Sequence, residues 1–155
     1  MHNKGFTLIE LMVVIAIVAI VSAIALPSLT AFIDSTRFSA QANDLVAALN
    51  YARSEAVKRN ADVSVCPSTD GATCASSSSW STGWLVTLAD GTVIQVYPAL
   101  KSGITLSASA SGSLAYKPSG QSTARTFSLC GSGRSRSIQI SQSGRVEMIN
   151  PGNGC

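Results

Sequence analysis

MHNKGFTLIELMVVIAIVAIVSAIALP, residues 1–27 of the 155-residue chain, decides how the rest is read. Met1 to Gly5 is polar and carries one lysine, Lys4. From Phe6 to Leu26 run 21 residues whose one charge is Glu10. A helix rising ~1.5 Å per residue covers a bilayer's hydrocarbon layer with about 20 residues, and a lysine ahead of it keeps the leader cytoplasmic. The segment therefore predicts a leader at 1–5, a transmembrane or filament-core helix at 6–26, and a globular head at 27–155. Pro27 has no backbone N–H to donate, which predicts a bend or local unwinding at Ala25-Leu26, with helical pattern resuming from about Ser28.

An ordinary secretory signal peptide, cut near Ser22-Ala23-Ile24-Ala25, or a plain membrane anchor would account for the apolar run. Neither accounts for Glu10, since a carboxylate inside an apolar helix is costly and marks a function with a partner elsewhere. Neither accounts for Gly5 directly before Phe6. Gly5-Phe6-Thr7-Leu8-Ile9-Glu10-Leu11 resembles the cleavage and methylation signature of type IV pilins and type II secretion pseudopilins. The resemblance implies that a membrane aspartyl protease, the prepilin peptidase, cuts between Gly5 and Phe6 and methylates the new amine of Phe6. It also implies that Glu10 complements that amine on a neighbouring subunit during assembly. A buried carboxylate is tolerable when paired and specifies register more than it stabilises.

Beyond Pro27, Phe38, Ala42, Leu45, Leu49, Ala52 and Ala56 recur at steps of four and three, an apolar stripe widened by Val46 and Ala48. Arg37, Asn43, Asp44, Asn50 and Lys58 occupy the other face, and Glu55 and Arg59 stand four apart, close enough to pair. This helix is expected to end near Asn60. After it the pattern changes to short alternating strands: Val63 and Val65; Ile104 and Leu106; Leu114 and Tyr116; Phe127 and Leu129; Ile138 and Ile140; Val146 and Met148. Trp84–Leu88 and Val93–Tyr97 flank Asp90-Gly91 and read as a hairpin. Ser76–Ser79 reads as a flexible polar loop beside Trp80. The expected fold is α+β, one long helix laid across one antiparallel sheet.

Tyr51-Ala52-Arg53-Ser54-Glu55-Ala56 at the helix end, Gly83-Trp84 before a strand, and Ser141-Gln142-Ser143-Gly144-Arg145 together resemble the motifs of the FimT/FimU minor pilins and the secretion pseudopilin H, members of the type IV pilin fold. Cys130 with a C-terminal cysteine is similar to FimU-like members. The resemblance implies a low-abundance subunit that sits in the inner membrane with its head in the periplasm, then joins the pilus at its tip and helps start assembly. Other minor and major pilins would be its partners. A FimT-like DNA receptor in natural transformation and a type II secretion pseudopilin H are the alternatives.

Four cysteines in a chain with an export signal read as two disulfides. Zinc is disfavoured because C-x-x-C spacing is absent and the one histidine, His2, lies in the leader. Of the three pairings, Cys66–Cys74 and Cys130–Cys155 are favoured. The first closes a loop whose Pro67 and Asp70-Gly71 already favour turning, and the second pins the last residue to a strand. With no histidine after residue 2, no Ser-His-Asp triad can form. Gly-x-Ser-x-Gly is missing, and Gly131-Ser132-Gly133 lacks the Lys-Ser/Thr ending of a phosphate loop. The chain reads as a non-enzyme without cofactor or metal.

Of 11 basic and 8 acidic residues, Lys101, Lys117, Arg125, Arg134, Arg136 and Arg145 fall in the last third beside a single acid, Glu147. That excess suits an anionic partner such as double-stranded DNA, held through its phosphates. Arg134 and Arg136, at i and i+2, are expected to point the same way. FimT-like proteins capture DNA with a C-terminal Gly-Arg-x-Arg motif, and Gly133-Arg134-Ser135-Arg136 has that wording. The family's own place for the motif is nearer Gly144-Arg145-Val146-Glu147, where Glu147 stands in place of the second arginine.

Overall fold

The computed structural model describes residues 6–131, 133–149 and 155; within the first helix the side chains of 24–28 and 31 are excluded from that description. The leader with Gly5 lies outside the described residues. The chain divides into two compact units, Met1–Arg37 and Phe38–Cys155.

Helix α1 (Leu8–Arg59) contributes to both units and is continuous in its backbone through Pro27, so the local unwinding expected there does not occur. Proline forfeits one hydrogen bond to the preceding turn, and the bonds on either side carry the helix past it. In the first unit the described apolar side chains are all exposed, among them Ile15 at 59% and Phe32 at 68%. Among the described residues no helix is long and apolar enough to cross a membrane. The membrane helix expected over 6–26 therefore rests on the sequence.

Among the described residues the second unit holds eight strands: β1 (Val63–Pro67), β2 (Trp84–Leu88), β3 (Val93–Tyr97), β4 (Ile104–Ala108), β5 (Leu114–Tyr116), β6 (Arg125–Gly131), β7 (Arg134–Ile140) and β8 (Val146–Ile149). They form two antiparallel four-stranded sheets, ordered β3-β2-β1-β5 and β4-β6-β7-β8, where the sequence predicted one. Alternation shows which residues face inward but carries no information about which strand edges meet, so the division was invisible to it. The helix stripe Phe38, Ala42, Leu45, Leu49, Ala52 and Ala56 lies in one core cluster with Val65, Val86, Tyr116, Leu129 and Ile138 from both sheets.

The helix stops in the manner its sequence allows. Asn60 takes a positive φ of 52°, the Ala61 N–H reaches the Ala56 carbonyl at 3.3 Å, and the Asn60 N–H reaches that of Val57 at 3.4 Å. That is the paired-bond ending that satisfies a helix's last carbonyls. The β2–β3 hairpin turns at Asp90-Gly91, and a bulge at Val86/Thr87 shifts its register. The serine run lies outside the strands and is bonded along β4. Ser79 bridges Ser107, and the Ala108 N–H donates to the Ser78 carbonyl at 2.8 Å, so the run closes the outer edge of β4. It is held there by Trp80, fully buried and edge-on to Phe127 with ring centroids 4.8 Å apart.

Candidate functional site

At the N-terminus, Phe6 is 75% exposed and precedes the first helical residue, Leu8. The Glu10 N–H donates to Thr7 Oγ1 at 3.3 Å, and the Thr7 N–H donates back to Glu10 Oε2 at 3.5 Å. This reciprocal arrangement is a capping box, which satisfies orphan donors at a helix start. Glu10 thus has a local role besides the intersubunit one expected of it; the signal for it was the Thr7-x-x-Glu10 spacing.

Both cysteine pairs are joined: Cys66 to Cys74 with Cα atoms 5.5 Å apart, and Cys130 to Cys155 with Cα atoms 5.8 Å apart. Inside the first loop Asp70 Oδ1 accepts from the N–H groups of Ala72 at 2.9 Å and Thr73 at 2.8 Å. These bonds, with those from the Thr73 and Ser68 hydroxyls, hold the Asp70 carboxyl well below the usual carboxylate range.

The six C-terminal cations do not form one patch. Register sets Arg134 opposite Gly131 and Gly131 opposite Ile104, so Arg134 and Lys101 lie towards one end of the second sheet. Arg125 faces Ile140, which pairs with Val146, so Arg125 and Arg145 lie at the other end. A seven-residue strand spans roughly 23 Å between those ends. Lys117 belongs with the second group: it lines a hollow together with Ser122, Gln142 and Ser143.

Arg134 and Arg136 do share a face of β7, but it is the face that continues into buried Ile138 and Ile140. Arg136 is consequently folded against the helix. Its guanidinium lies 5.7 Å from the Phe38 ring centroid, and its Nη2 donates to Ser39 Oγ at 3.1 Å. Lys117 is paired with Asp62 at 2.7 Å, and Arg125 donates to the Gly112 carbonyl at 2.8 Å, where partial burial lowers its pKa. Lys101, Lys117, Arg134 and Arg145 are the exposed members, Lys117 with its charge paired to Asp62.

Arg53 is a residue that sequence reasoning noticed only as part of a resemblance. Its Nε donates to the Gly120 carbonyl and its Nη2 to the Ser143 carbonyl, each at 3.0 Å. One guanidinium thereby ties the helix to two turns and joins the two motifs Tyr51–Ala56 and Ser141–Arg145. Gly144, at φ 75°, has the Gly120 carbonyl oxygen where a Cβ would sit, so only glycine fits. Glu55 completes this end: Arg59 at 2.6 Å and Lys58 at 3.5 Å embrace it, and the Arg59 hydrogen bond lowers its carboxyl pKa. Among the described residues no cluster of histidine, cysteine and carboxylate side chains could hold a metal ion.

Residues 41–144 match the family model described as Type II transport protein GspH, and residues 1–26 match the prokaryotic N-terminal methylation motif. Among solved structures, the type IV minor pilin FimU of Pseudomonas aeruginosa is similar at 27% identity and a TM-score of 0.63, over 76% of this chain and 92% of that one. A second crystal form of FimU gives 28% and 0.59, over 72% and 91%. The minor pseudopilin EpsH of the Vibrio cholerae type 2 secretion system shares the fold at 18% identity and a TM-score of 0.56, over 74% of this chain and 98% of that one. No curated protein sequence matches.

Proposed function

This chain belongs to the family of the type II transport protein GspH, and from that premise we propose that it is a minor type IV pilin that starts pilus assembly and sits at the tip. Pilins and pseudopilins of this kind are structural subunits and not enzymes. The observation that carries the choice of pilus over secretion fibre is the greater likeness to FimU, 27% identical, than to EpsH, 18% identical. In this reading the chain is made as an inner-membrane precursor with its head in the periplasm. Prepilin peptidase removes Met1 to Gly5 and methylates Phe6, and Glu10 exchanges part of its capping role for the Phe6 amine of a neighbouring subunit. The exposed apolar helix then moves from lipid into the filament, which meets its need for apolar surroundings. Deleting the gene tests the proposal. Loss of surface pili and twitching, restored by the full chain, is expected; normal pili with a secretion defect would make it a pseudopilin H instead.

A second reading, phosphate contact with DNA, is supported by exposed Arg145 in the family's place for the motif and by Arg125 and Lys117 towards the same end. Salt-sensitive gel shifts of double-stranded DNA are its test. Arg145→Gln should weaken the shift more than Arg136→Gln, whose parent side chain is spent on Phe38 and Ser39. No shift at low salt contradicts this reading.

A further inference from the structure

We propose that the outer edge of β3 docks an extended segment of a different pilin-type subunit, one that is neutral and apolar at its centre and basic at its ends. The proposal rests on the assembly reading above, because it needs neighbouring subunits.

A sheet edge presents a row of unpaired N–H and C=O groups, and another extended backbone is what satisfies them. The two sheets have four edges, β3, β5, β4 and β8. The edge of β5 is closed by the chain itself, since Tyr116 bridges Ser122 and the Lys117 N–H donates to the Gln121 carbonyl at 2.8 Å. That of β4 is closed by the serine run through Ser79 and Ser78. Strand β8 carries exposed Glu147 and follows exposed Arg145, charges of the kind that discourage edge pairing. Only Val93–Tyr97 has neither cover among the described residues nor a charge or proline within it.

The side chains point to the same occupant. Cys66, Leu85 and Val96 stand in one cross-strand row, on the face of the first sheet turned away from the core cluster. The disulfide loop belongs to this face: Cys66 and Leu85 are fully buried, and a Cβ on Gly71 would lie 3.7 Å from Val96 Cγ1. Cover stops there, and Val96 remains 48% exposed. An added strand supplies the missing member of the row, an apolar side chain against Val96. Asp90 lies in the turn before β3, and Asp70 adjoins Gly71 at its other end. Both carboxylates are held ionised by turn N–H groups. They call for basic residues flanking the apolar centre of the partner strand. A second copy of this chain meeting β3 with its own β3 would bring like carboxylates together, which disfavours that occupant.

The test uses the full chain in piliated cells, with the photo-crosslinking residue p-benzoylphenylalanine at position 96 or, on the β8 edge of the other sheet, at 147. After irradiation, sheared filaments should contain an adduct of this chain with another subunit from position 96, about tenfold more than from 147. Val96→Lys should reach the membrane and lose its leader as the wild type does, yet enter filaments about tenfold less, while Val96→Thr should enter normally. Equal adducts from 96 and 147, an adduct between two copies of this chain, or normal entry of Val96→Lys overturns the proposal. Absence of the wild-type chain from filaments overturns the assembly reading and this proposal with it.

Discussion

Helix α1 is apolar along much of its length, yet its two parts live by different rules. Up to Arg37 its described apolar side chains are exposed, whereas from Phe38 onward Leu45, Leu49 and Ala52 are fully buried within the chain's own head. Composition and periodicity both separate the two parts. Up to Leu26 the first carries one charge, Glu10, and is apolar on every side, so no single face can be buried against one domain, and that stretch needs apolar surroundings all round. The second has a stripe with a polar opposite face, which is what a helix needs to close a core with two sheets. The contrast predicts that the head's stability is indifferent to the first part, while assembly depends on it.

The largest effect on the head should come from the stripe. Leu49→Ala opens a cavity in the shared core and should lower the stability of the fragment 27–155 by about 3 kcal/mol in denaturant unfolding. A change below about 1 kcal/mol would mean that the stripe is not the core. Gly144→Ala should follow at about 2 kcal/mol, because it combines a positive φ with a collision at the Gly120 carbonyl, loosening the Arg53 tie. A smaller effect is expected of Asp70, and it depends on pH. Its folded pKa is lowered, so its contribution is present above the unfolded carboxylate pKa of about 4 and is lost as the pH falls below it. Asp70→Asn should therefore narrow the gap between the denaturation midpoints at neutral pH and in acid. An unchanged gap would put the acid sensitivity on Glu55 and Asp90, whose pKa values are lowered too. The smallest effect is the one that tests the contrast from the other side. Phe32→Ser, in a 68% exposed side chain of the first part, should shift the same fragment by less than about 0.5 kcal/mol.

Much of this was legible in the residues. Every strand anticipated from alternation exists, because inward and outward side chains of a half-buried strand must alternate, and the helix ends at Arg59, within a residue of its anticipated stop. What was hidden depends on contacts remote in sequence. Two sheets rather than one follow from which edges meet, and the bonding of Ser78 and Ser79 follows from a strand about thirty residues away. Arg134 and Arg136 were correctly read as sharing a face, but alternation could not say that this face turns towards Phe38. The capping role of Glu10 could have been read from its three-residue spacing from Thr7.

The central claim is that the exposed first part is processed at Gly5–Phe6 and carried into a filament, with Glu10 needed for entry. Mass spectrometry of this chain in sheared surface filaments, from wild-type and Glu10→Ala cells, tests it most directly. The account predicts a wild-type chain beginning at N-methylated Phe6, and a Glu10→Ala chain that has lost the same leader in the membrane but is depleted from filaments. A filament chain still beginning at Met1, or Glu10→Ala present at the wild-type level, would contradict it.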